Sequence, residues 1–109
     1  MSEEFKVLSV AREVVDEVNA LMDSARRPFV NERQLRESAG SITANIREAY
    51  DRERGKDRNQ FFRFARGSVE ETDERLRTNR AASRIDEKPY WRLHNRLSLI
   101  RKMLDKLLA

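Results

Sequence analysis

Ser41-Ile42-Thr43-Ala44-Asn45-Ile46-Arg47-Glu48-Ala49 is the stretch on which the fold is read. Leu35, Ala39, Ile42, Ile46 and Ala49 recur in steps of four, three, four and three, which turns one face of a helix inward. Beside it runs a stripe of small polar residues, Ser38, Ser41 and Asn45. Side chains this small let a neighbouring helix approach closely. A buried asparagine then needs hydrogen-bond partners.

Three more blocks carry the same periodicity. Val7, Leu8, Ala11, Val14, Val15, Val18, Leu21, Met22 and Ala25 predict a helix over residues 3–25. Its stripe is wide enough for two neighbours, or for one neighbour and another subunit. Pro28 stops it. Asn31 with Gln34 three residues on predicts a capping box for the second helix, which runs to about residue 52. Gly55 is expected to close that helix in a left-handed turn, and Asp57 with Gln60 to cap a third over residues 58–82. Phe61, Phe62 and Phe64 open the third helix, and Ala65, Ser68, Thr72 and Leu76 share one face. Gly67 in its middle calls for a close helix contact, because glycine costs about 1 kcal/mol relative to alanine there. Asp86 predicts the start of a fourth helix, with Ile85 and Tyr90 as a hydrophobic staple. Tyr90, Leu93, Leu97, Ile100, Leu104 and Leu107 mark its stripe.

Four such helices with short connections predict an all-α fold, an antiparallel up-down-up-down four-helix bundle in a single domain over residues 1–109. The chain has 109 residues, enough for one modest core. It has no cysteine, which excludes disulfides, thiolate metal sites and cysteine nucleophiles. No apolar run reaches the length of a membrane span, and the N-terminus lacks a signal peptide's pattern, so the expected location is the cytoplasm.

Charged residues make up 39% of the chain, against about a quarter in an ordinary soluble domain. Between Arg75 and Lys106 lie 10 basic and 3 acidic residues, a local excess of 10 − 3 = 7 positive charges. Arg84, Lys88, Arg92 and Arg96 recur every four residues. Two uses fit them: a ridge that tracks phosphates, or a solvated face that pairs with carboxylates of another subunit. Asn45 and Glu71 are expected as a buried polar pair joining helices two and three, with Ser41 and Ser68 packed at the same crossing. Phe5, Trp91 and Leu99 are apolar residues left over for an oligomer interface, Trp91 alternatively sitting at the core edge. His94 has no second histidine or cysteine with which to bind a transition metal. No catalytic residue, cofactor or small-molecule substrate is expected.

The stretch 41–49 resembles the central signature of the bacterial 23S ribosomal RNA intervening-sequence proteins, which is close to S-I-P-A-N-I-A-E-G. A second signature is matched by Phe61-Phe62, Ala65-Arg66-Gly67-Ser68, Glu71 and Leu76, and the ending Ile100-Arg101-Lys102-Met103-Leu104 is similar to the family's last helix. Thr43 stands where the family has proline, so this helix keeps its backbone donor. Ala49 stands where the family has glycine. The resemblance implies a left-handed bundle, a ring-like homopentamer and binding of RNA or DNA. The expected function is therefore a non-enzymatic homo-oligomer that binds nucleic acid through a basic surface; the alternative is a structural or protein-interaction scaffold.

Overall fold

The computed structural model describes residues 3–108, with side chains from Lys6 to Leu108. Phe5 lies outside the described side chains. Four helices follow one another: α1 (Glu3–Asp23), α2 (Glu32–Tyr50), α3 (Lys56–Ala81) and α4 (Glu87–Leu108). They pack as an antiparallel bundle of 44 × 23 × 19 Å. Each helix lies against its two neighbours around the ring, and diagonal helices keep their backbones apart. Among the described residues there is no strand, and no helix is long and apolar enough to cross a membrane.

The inward stripes meet as read from their spacing. Leu35, Ile42 and Ile46 of α2 pack with Leu76, Leu93, Leu97, Ile100 and Leu104 in a fully buried core. The wide stripe of α1 divides between α2 and α4. Val7 and Met22 are buried, and Leu8 and Val15 pack partly buried against the core, so α1 adds little to any exposed apolar surface. With a threonine at position 43, α2 runs unbroken, and the Thr43 hydroxyl bonds the Gly40 carbonyl at 2.9 Å.

The helix ends differ from the expected caps. Asn31 precedes α2 in the left-handed conformation, φ 53° and ψ 47°, and its side chain caps nothing, so the capping box with Gln34 does not form. Asparagine tolerates that conformation better than most residues, and here it turns the loop instead. α2 ends at Tyr50 with a right-handed Asp51 behind it. Gly55 does not close α2. At φ 140° it introduces α3, which starts at Lys56 with Asp57 already in its first turn. An acidic residue there is favourable to the helix dipole. Ile85 and Tyr90, at the two positions of the expected staple, are both buried at the start of α4.

Small hydroxyls bring α2 and α3 together. Ser41 and Ser68 share a hydrogen bond of 3.0 Å, as do Ser38 and Thr72. Asn45 donates its amide to the Ser41 hydroxyl and carbonyl, both at 2.9 Å. The Ser68 hydroxyl also lies 3.1 Å from the Phe64 carbonyl. Each hydroxyl has one hydrogen, so all partners are satisfied if donation runs from Asn45 to Ser41, on to Ser68, and then to Phe64. Glu71 is not a member of this seam. It is exposed and pairs with Arg75 at 3.0 Å. Thr72 holds the inward position, and a step of roughly 100° per residue carries Glu71 off that face.

Candidate nucleic-acid interface

Arg92 and Arg96 lie on the side of α4 that meets α1. Both reach Glu17, whose side chain is only 16% exposed. Arg92 donates through Nε at 2.7 Å and also through Nη2, and Arg96 donates through Nη1 at 2.9 Å. Glu13 stands 3.8 Å from Arg96. The hydrogen bond to Glu17, and then its charge, raise the Arg92 guanidinium above its ordinary value. These two arginines therefore tie α4 to α1 within one chain and are not an open ridge. An α-helix places positions 88, 92 and 96 in line, but the line turns toward α1 as it descends α4.

The upper half of the predicted ridge has a different setting. Lys88 is exposed and pairs with no carboxylate among the described residues. Arg84 donates Nη1 to the Pro28 carbonyl at 3.0 Å, and its buried Nε has no acceptor. Both stand at the end of the bundle where the α1–α2 and α3–α4 connections meet. Arg26 and Arg27 from the first connection are exposed there and also lack a carboxylate partner among the described residues. Arg26, Arg27 and Arg84 line a cavity of about 370 Å³ whose apolar wall includes Phe29, Ile85 and Pro89, with Asp86 as the acidic group on its rim.

Asn79 holds this end in shape. It is fully buried on α3, accepts from the Val30 amide at 2.7 Å, and donates to the Val30 carbonyl at 3.1 Å and the Arg75 carbonyl at 2.9 Å. The chain leaves α3 through Ser83 in the left-handed conformation, with Arg84 N–H bonding back to the Asn79 carbonyl at 2.8 Å. That pattern closes a helix end and satisfies its last carbonyls.

Next to the basic end, α3 and α4 carry an aromatic cluster. Tyr90 is buried beneath Trp91, which remains 45% exposed. Arg80 lies over both rings, 4.6 Å from the Tyr90 centroid and 5.1 Å from that of Trp91. Glu87 accepts from the indole N–H at 2.9 Å. His94 faces Asp73 at 2.8 Å, and Asp73 also pairs with Arg77 at 3.2 Å. The nearby Tyr90 hydroxyl, and then the charge of Asp73, raise the Arg77 guanidinium above its ordinary value. No hydroxyl is hydrogen-bonded to His94, and no group of three or more metal-binding side chains occurs among the described residues.

The model of the 23S rRNA-intervening sequence protein family matches residues 3–106. The chain belongs to this family. A crystal structure from Bacteroides thetaiotaomicron, described as a protein with unknown function from the S23 ribosomal protein family, is similar over 98% of each chain. The two share 25% sequence identity and superpose with a TM-score of 0.88. Among curated proteins, no relative matches the chain.

In this intervening-sequence family member, the residues singled out from the sequence fall into four settings. Ser41, Asn45 and Ser68 meet in the α2–α3 seam. Arg84 and Lys88 stand at the loop end, and Arg92 and Arg96 are taken by Glu17. Trp91 and Leu99 are both exposed on α4, and Phe64, at 48% exposure, joins them as a large apolar side chain in solvent. Arg26, Arg27 and Asn79 were not foreseen. The available signal was an Arg-Arg pair next to a proline, and an asparagine in phase with the buried stripe of α3.

Proposed function

We propose that this protein binds RNA through the loop end of its bundle, as a homo-oligomer acting in the cytoplasm and without catalysis. The observation that carries the reading is the gathering of Arg26, Arg27, Arg84 and Lys88 at one end, with no carboxylate among the described residues claiming any of them. The family description refers to 23S rRNA, which favours RNA over DNA. Phosphate contacts by such side chains give affinity without base readout. The exposed Phe64 and Leu99 support burial against further copies of the chain. The family resemblance makes five the expected number. Repetition of the basic end around a ring multiplies phosphate contacts on one long strand.

The test is a salt titration of long single-stranded RNA with the wild type and with Arg26→Glu/Arg27→Glu, light scattering recording the assembly in the same samples. Each lost phosphate contact lowers the salt slope by roughly 0.7, so two per engaged subunit remove about 1.4. Affinity should fall sharply at low salt with the fold intact. Equal binding by both proteins, or no binding by wild type at low salt, gives the place to the scaffold reading.

A further inference from the structure

The basic end explains attraction to phosphate, but not the aromatic group beside it. Trp91 is the one tryptophan in the chain, and nearly half of it is in solvent. It is nonetheless held firmly. Its N–H is bound by Glu87, Tyr90 meets it edge to face at 5.1 Å, and His94 does so at 5.3 Å. Arg80 lies over the ring, and this cation is itself flanked by Glu87 at 3.8 Å. A core-edge tryptophan would need no such fixing of an exposed ring. One turn before it on the same helix surface is Lys88, exposed and with no carboxylate partner among the described residues.

A fixed, exposed indole beside an unclaimed cation is the combination that single-stranded nucleic acid uses. The cation tracks the backbone, and the ring receives a base. A duplex cannot make the second contact, because its bases are already stacked on one another. We infer that Trp91 is a stacking platform for an unpaired base of RNA whose backbone is held by Lys88 and the neighbouring arginines. This rests on the proposed RNA binding and adds a preference for single strands. The Glu87 carboxylate does not oppose it strongly, since Arg80 and the indole N–H both engage that group.

Because Trp91 is the sole tryptophan, its emission reports this site alone. The full chain is titrated with end-labelled single-stranded oligoadenylate and with a duplex of equal length. Anisotropy follows binding and tryptophan emission follows stacking. Emission should be quenched in step with single-strand binding and unchanged by the duplex. Trp91→Ala should weaken single-strand binding by roughly 5- to 150-fold per stacked base while leaving duplex binding alone, and Trp91→Phe should recover most of the loss. Single-strand binding with unchanged emission, or equal loss on both ligands in Trp91→Ala, overturns the platform and leaves the RNA reading standing. An indole shielded from acrylamide before RNA is added also overturns it, by placing Trp91 in a subunit interface. Absence of any anisotropy change on either ligand overturns both.

Discussion

The α2–α3 seam and the α1–α4 seam solve the same packing problem with opposite materials. Across α2–α3 the facing residues are short: Ser38, Ser41, Ser68 and Thr72 hydrogen-bond one another at 3.0 Å. Across α1–α4 the side of α4 is lined with long cations, and Arg92 and Arg96 clasp Glu17. The first seam sets distance by size, so it tolerates no extra atoms. The second sets position by charge, so it depends on salt and adapts to substitution. The difference also decides what is left for binding. A hydroxyl seam uses no charge, whereas the charged seam commits two partly exposed arginines to Glu17.

Breaking the first seam should have the largest effect. Ser68→Leu inserts a branched side chain between α2 and α3 and takes from the Ser41 hydroxyl its partner on α3, leaving it only the bond from Asn45. Overpacking and the lost hydrogen bond together should destabilise the fold by about 3 kcal/mol, read as a lower urea midpoint with unchanged slope. A stability within 0.5 kcal/mol of wild type, well below that estimate, would mean that the seam is looser than its hydrogen bonds imply.

Glu17→Gln tests the other seam. It should cost less than Ser68→Leu, and the cost should shrink as salt rises, because partly exposed pairs are screened. The same change releases Arg92 and Arg96, so affinity for RNA should increase. Unaltered RNA affinity would show that these arginines point away from the bound strand even when unpaired.

The smallest effect is expected outside both seams. A methyl group on Gly67 would meet no atom within 4 Å, and the residue is exposed. The close contact its position called for is not made among the described residues. Gly67→Ala should therefore raise thermal stability, by up to about 1 kcal/mol. A variant that is more stable but scatters light as a smaller particle would identify the face around Gly67 as the place where copies meet.

The sequence made the bundle legible because hydrophobic spacing is a local property. Ile42 and Ile46 reveal their face to anyone counting residues, and Ile85 with Tyr90 announces a helix start. Most of the small-residue seam was legible: Ser38 and Ser41 of α2, and Ser68 and Thr72 of α3, stand on the faces their spacing predicts. Glu71 was the misplaced member, one residue and roughly 100° off the face that Thr72 occupies. The fate of Arg92 and Arg96 was not legible at all. Their partner lies 75 and 79 residues away, and the register between α1 and α4 is written in no local pattern. Asn79 was hidden for the same reason, its partner being a loop backbone 49 residues distant.

That asparagine has a consequence for how the loop end would meet a ligand. Between Arg27 and Asn31 the backbone has almost no liberty: Pro28 is held by Arg84, Phe29 is buried, and Val30 is bonded at both its N–H and its carbonyl. Arg26 and Arg27 thus project from a main chain that was ordered when the protein folded. Association has to restrain only their side chains, at roughly 0.5–1.5 kcal/mol each, and a loop free to wander would add its own backbone entropy to that cost.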